Sequence, residues 1–117
     1  MATVLVVDDD ADVLDAVAEV LLQEGFDVRR ARGGAAALDV LRREGTPGVV
    51  LLDVRMDRVD GTSVSGWMRA NPALRNVPVI FMTGDRRFRP GDGARVLEKP
   101  FDLADLLEAL RQALGAR

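Results

Sequence analysis

Two apolar runs that end directly in carboxylates constrain this chain more than any other feature. Val49-Val50-Leu51-Leu52 leads into Asp53, and Thr3-Val4-Leu5-Val6-Val7 leads into Asp8, Asp9 and Asp10. A short continuous run rich in β-branched residues, with no polar alternation, reads as a strand covered on both faces. Strands of that kind belong to parallel sheets with helices above and below. In such sheets ligands bind outside the carboxyl ends of the strands. Both groups of acids fall at that edge.

Three further runs fit the same sheet. Phe26–Ala31 is weaker, with Phe26 and Val28 alternating with polar neighbours, which suits an edge strand. Val77–Met82 is apolar throughout and closes on Thr83-Gly84, and Arg95–Glu98 runs into Lys99-Pro100. Helical spacing fills the intervals. Val13, Leu14, Val17, Val20 and Leu21 recur at three and four residues, with Asp10 as the N-cap and Gly25 as the stop. Ala35–Glu44 turns Ala37, Leu38 and Leu41 inward, with Gly45 as its stop. A third helix is marked by Val64, Trp67 and Met68 and ended by Asn71-Pro72. The last is capped by Asp102 and carries a stripe of Leu103, Leu106, Leu107, Leu110 and Leu114. The alternation predicts an α/β chain: a single doubly wound five-stranded parallel sheet of order 2-1-3-4-5, in one domain over residues 1–117. One interval breaks the pattern. Gly84–Ala94 holds Pro90, Gly91 and Gly93 and no apolar period, so its helix is expected to be shortened or absent, with room for a turn near Arg86–Phe88.

Composition removes whole classes of chemistry. The chain has no cysteine and no histidine, so thiolates, disulfides, His-based metal sites and Ser-His-Asp triads are excluded. Net charge is −3 with acids and bases interspersed, so no direct nucleic-acid contact and no membrane contact are expected. No apolar run approaches the length of a membrane span, and Met1-Ala2-Thr3-Val4 enters a strand pattern directly. A cytoplasmic location without a signal peptide is the expectation. Lys99 is the only lysine among 16 basic residues.

At the carboxyl ends of four adjacent strands the topology gathers Asp8 and Asp9, Asp53, Thr83 and Lys99. Carboxylates that close repel unless a cation neutralises them. Mg²⁺ suits a few carboxylates, waters and phosphate oxygens. Lys99 adds a point charge and Thr83 a hydroxyl donor. The chemistry available is attack by a carboxylate on a phosphoryl group, with the cation and the lysine stabilising charge on the transferring oxygens. Asp53 is the candidate nucleophile, and Asp8 and Asp9 are candidate metal ligands.

The set Val6-Val7-Asp8-Asp9, Leu51-Leu52-Asp53, Met56, Asp60-Gly61, Met82-Thr83 and Lys99-Pro100-Phe101 resembles the receiver domain of two-component response regulators, over essentially the whole chain. The resemblance implies a flavodoxin-like sheet and a phosphorylation-dependent signalling switch. It implies that Asp53 is the phosphoacceptor, fed by a partner histidine kinase or phosphotransfer protein. It implies Mg²⁺ held by Asp9 and Asp53, by Asp8 largely through water, and by the backbone carbonyl of Arg55. It implies that Thr83 and Lys99 bind the phosphoryl oxygens, and that the Lys99–Pro100 bond is cis. No turnover of an external substrate is implied, and a monomer or weak dimer with a separate output protein is expected.

Three positions depart from the family pattern. Asp57 stands where proline is usual. Val96 stands where an aromatic usually turns inward, so a rotamer switch of that kind cannot operate there. The Thr83–Lys99 interval is short. These departures keep open a degenerate receiver acting as a constitutive interaction module. A small Mg²⁺-dependent phosphohydrolase is the third reading, with Asp85 as its one nearby acid or base. Asp85 and Arg55 flank the expected pocket, where they can pair with each other, tune the access of water to the phosphorylated aspartate, or stand as solvated loop charges.

Overall fold

The computed structural model describes residues 2–91 and 93–115. In chain order the elements are β1 (Thr3–Val7), α1 (Ala11–Gln23), β2 (Asp27–Ala31), α2 (Gly34–Arg43), β3 (Val49–Asp53), α3 (Gly61–Ala70), β4 (Val79–Thr83), β5 (Arg95–Glu98) and α4 (Leu103–Gly115). The five strands pair in the order β2-β1-β3-β4-β5, every pair parallel.

The sheet carries a core on each face because strand side chains alternate. On β1, Val4 and Val6 join Leu14, Leu21, Leu106 and Leu110 under α1 and α4. Leu5 and Val7 join Leu41, Val64, Met68 and Phe81 on the opposite face, under α2 and α3. All five residues of β3 and of β4 are buried, as strands covered on both faces must be.

The helix ends follow from local chemistry. Asp10 caps α1, its carboxylate accepting the N–H groups of Asp12 and Val13. Asp60 caps α3 by accepting the Ser63 N–H, and Asp102 Oδ1 accepts the Asp105 N–H at the start of α4. Gly25 and Gly45, at φ 93° and 83°, take the left-handed conformation that ends a helix.

Three elements differ in their bounds from the sequence expectation. The second strand starts at Asp27 rather than Phe26, because the Phe26 N–H donates to Leu21 O and closes the end of α1. The fourth starts at Val79 rather than Val77, because the Val77 N–H donates to Leu74 O in a turn. The second helix runs Gly34–Arg43, entered from Gly33 at φ 99° without a side-chain cap.

Among its described residues, the β4–β5 connection holds no helix. A turn closes it where the Phe88 N–H donates to Asp85 O. The Phe88 ring then meets Phe81 edge-on, with centroids 5.2 Å apart and planes at 68°. The loop thus covers β4 with one aromatic ring. Trp67 packs half-buried on the same layer, with the Arg42 guanidinium 5.4 Å from its ring centre.

Candidate functional site

Strand register brings the site together. Val7 pairs with Leu52, so Asp8 and Asp53 are each one step beyond a paired residue. Asp53 pairs with Met82, so Thr83 is the next residue along β4. Thr83 pairs with Glu98, so Lys99 follows. The Lys99 N–H donates to Thr83 O at 2.7 Å, extending that pairing by one residue. Four strand ends therefore deliver their side chains to one cleft of about 580 Å³.

Asp8 is 1% exposed, and Asp53 and Thr83 are also buried. Asp9 is half-buried. Asp8, Asp9 and Asp53 each present a carboxylate oxygen, and the three lie within 4.8 Å of one another. Lys99 Nζ bridges two of them, at 3.0 Å from Asp8 Oδ2 and 3.3 Å from Asp53 Oδ1. Asp8 Oδ1 also accepts the Asp10 N–H at 3.0 Å.

Burial pushes the Asp53 carboxyl up to about 6, the nearby Asp8 charge adds to the rise, and Lys99 opposes both. Burial alone would lower Lys99, but its bond to Asp8 and the charges of Asp53 and Asp8 outweigh that and raise it. The lysine therefore stays charged between two carboxylates. Three acids against one ammonium leave excess negative charge in a sheltered pocket. A set of hard oxygen donors this close is the donor chemistry that a small divalent cation takes.

The cleft mouth is built from the loops after β3 and β4. Thr83 Oγ1 accepts the Asp85 N–H at 3.0 Å. Arg55 and Asp85 pair, at 3.3 Å. Asp85 also accepts the Arg87 N–H at 2.9 Å, which holds its carboxyl below the ordinary range ahead of the Arg87 and Arg55 charges. Arg55 lines the cleft, its side chain turned to Asp85. The Lys99–Pro100 bond is cis.

Two contributors escape a reading of side chains: Arg87 at the mouth, and the Asp57 N–H, which donates to Asp9 Oδ2 at 3.1 Å. The one signal for the second is that residue 57, not being proline, has an N–H to give.

The fold is a doubly wound parallel sheet whose carboxyl edge joins three acids to one lysine. The response regulator receiver domain model matches residues 4–111, and the chain belongs to that family. The polar-differentiation response regulator DivK of Brucella anthropi is 29% identical over 119 residues, covering 97% of this chain and 96% of DivK. A putative response regulator from Chloroflexus aurantiacus is 31% identical with a TM-score of 0.89, over 99% of this chain and 98% of that one. Vibrio cholerae CheY4 is 28% identical with a TM-score of 0.90, over 97% and 99%. TrrA of Thermotoga maritima, solved in complex with Mg²⁺-BeF, is 27% identical with a TM-score of 0.87, over 97% and 100%. The chain is a receiver of two-component phosphorelay signalling. Among the described residues no helix is long and apolar enough to cross a membrane.

Proposed function

We propose that Asp53 accepts a phosphoryl group from a phosphohistidine on a partner kinase or phosphotransfer protein, and that the phosphorylated form signals to a separate output protein. The observation that carries this reading is the placement of Asp53. It is buried, 3.3 Å from Lys99 Nζ, grouped with Asp8 and Asp9, and open to a cleft large enough for a phosphoryl group.

In the transfer an ionised Asp53 oxygen attacks phosphorus, the P–N bond of the donor breaks, and the imidazole leaves and takes up a proton. Lys99 faces the growing charge on the phosphoryl oxygens, and the Thr83 hydroxyl has a proton to donate to one of them. Mg²⁺ is the cation this set fits: Asp9, Asp53 and the Arg55 backbone carbonyl would hold it, with Asp8 acting largely through water, and when bound it would supply positive charge to the transferring oxygens. The Mg²⁺-BeF complex of TrrA supports the choice of ion. The same reading takes residues 1–117 as one receiver unit, monomeric or weakly dimeric, acting in the cytoplasm without direct nucleic-acid or membrane contact.

The reading includes no turnover of an external substrate. A phosphohydrolase needs a general base beside Asp53. Asp85, the nearby acid, is engaged by Arg87 and Arg55 and held acidic, which makes it a poor base. A constitutive interaction module is the second reading, supported by Val96 and by a β4–β5 connection that holds no helix among its described residues. It requires beryllofluoride to leave partner binding unchanged.

The test is Mg²⁺-dependent phosphorylation by acetyl phosphate, followed by intact mass. Wild type is expected to gain one phosphoryl group and Asp53→Asn none. A wild type that stays unmodified, or an Asn variant modified as readily, overturns the proposal.

A further inference from the structure

On one face of the sheet the row of covering elements has a gap. A parallel sheet needs cover on both faces. On the α2–α3 side, Leu41, Val64 and Met68 join the core over β1, β3 and β4, and among the described residues no helix follows over β5. Val96 turns to this side, paired with Phe81 across the β4–β5 ladder, and Val96 and Ala94 are left half-buried. Phe88 reaches in from the loop to cover Phe81. Beside it lies a hollow of about 340 Å³, with Phe88, Pro90, Ala94 and Val96 as its apolar lining.

The rim of the hollow is cationic. Arg86, Arg87, Arg89 and Arg95 are exposed, the side chains of the first two at 88% and 90%. The carboxylates among them are already engaged: Asp85 by Arg87 and Arg55, and Glu98 by Arg86 at 3.5 Å. Ion pairs this exposed are weak, and a paired guanidinium keeps further N–H donors for a second carboxylate. Arg89 donates to Arg86 O and Phe88 O, which ties its head to the turn beside the hollow. Counted from the sequence, residues 84–98 carry four arginines and three acids, on a chain whose net charge is −3. A positive surface on an acidic chain selects an acidic partner.

We propose that this hollow docks an acidic amphipathic helix of the output protein, its apolar stripe entering between Phe88 and Val96 and its carboxylates meeting Arg86, Arg87 and Arg89. An apolar floor with a charged rim is the make-up of a helix-docking groove. The small side chains at 94 and 96 leave the space, and the docked helix covers β5 where the described residues of this chain's own crossover supply no helix. The inference names the kind of partner for the phosphorelay reading and rests on that reading for the partner's role alone. The hollow is formed in the unphosphorylated chain, so docking is measured apart from phosphoryl transfer.

The test pans a phage-displayed library of helical peptides, each about 18 residues or five turns long, against the full unphosphorylated chain. Enriched peptides are then titrated by fluorescence anisotropy and amide NMR against wild type, the double variant Arg86→Glu with Arg89→Glu, and Val96→Phe. Enriched sequences are expected to carry Asp and Glu beside an apolar stripe at helical spacing, and to shift the amides of the β4–β5 connection and β5. The double charge reversal is expected to weaken binding on the order of ten-fold, and Val96→Phe, which fills the hollow, by about as much. A library that yields no binder, enriched peptides without an excess of acids, shifts that map elsewhere, or an affinity unchanged in either folded variant overturns the inference. If Val96→Phe does not fold, the charge reversal decides. Phosphatidylserine vesicles are the control for a lipid partner; wild type that binds them, with binding lost on the same reversal, overturns the choice of a protein helix. Failure to take a phosphoryl group from acetyl phosphate overturns the phosphorelay reading alone, whereas the peptide outcomes bear on this inference alone.

Discussion

Replacing the proposed phosphoacceptor by its neutral isostere is expected to stabilise the metal-free protein. Asp53 titrates near 6 in the fold against an ordinary 3.8. Below 3.8 it is protonated both folded and unfolded and contributes nothing to the pH dependence. Between 3.8 and 6 the folded state keeps a proton that the unfolded state has lost, so stability falls as pH rises through that window. Above 6 the whole penalty stands, about 3 kcal/mol at 1.36 kcal/mol per pKa unit. The substituted asparagine would resemble the protonated acid in shape, and its carbonyl can still accept from Lys99. In EDTA at pH 8, Asp53→Asn is expected to be more stable than wild type by about 1–3 kcal/mol, a rise in Tm on the order of 4–12 °C for a chain of this size. At pH 4 the difference is expected to shrink toward zero. Adding Mg²⁺ is expected to close or reverse the gap, because a ligand at a hundred times its Kd adds about 2.7 kcal/mol to the state that binds it. Thermal and urea unfolding at the two pH values, with and without Mg²⁺, measure all of this. An Asn variant no more stable at pH 8, or a gain that persists at pH 4, refutes the account of Asp53 as a strained buried charge.

Lys99→Met leaves Asp8 and Asp53 without their shared cation and is expected to lower stability at pH 8 in EDTA by about 3 kcal/mol, the range for breaking a buried pair. Much of that loss should return near pH 5, where Asp53 regains its proton; urea unfolding at the two pH values checks it. Gly61→Ala would set a Cβ 2.3 Å from the carbonyl oxygen of Asp53, so the backbone must shift, at a cost of about 1–3 kcal/mol and with weaker Mg²⁺ binding, read by urea unfolding and calorimetry. Phe88→Ala removes the edge contact with Phe81. It is expected to cost about 1–2 kcal/mol and to speed amide exchange in the β4–β5 connection, where a loop that merely hung in solvent would show no change.

The side chains of the site were legible because each sits at the end of an apolar run, and parallel pairing carries run ends to one edge. Asp8, Asp53, Thr83 and Lys99 needed only that rule and the strand order. The Arg55–Asp85 pair was one of several readings left open by two charges standing two beyond a strand end on neighbouring strands. The lack of a helix among the described residues of the crossover was legible as an absence of apolar period in 84–94. What that reading lacked was the use of Phe88, whose single apolar ring does some of the covering that a helix would do for Phe81.

The remaining differences share one physical origin. Phe26 and Val77 are apolar and pack into the core, so by side chain they belong to strands, yet their N–H groups are already given to Leu21 O and Leu74 O in turns. A ladder needs those donors, so β2 and β4 start later. The Asp57 amide is the same case at the functional site: its partner is a carboxylate 48 residues away, and nothing in the side chain of residue 57 points there. Hydrophobic period reports which face a residue turns to the core, whereas every buried or sheltered main-chain donor must also find an acceptor. In this chain the first rule assembles the acids of the pocket. The second decides where the strands begin and, through Asp57, how the outermost acid is held.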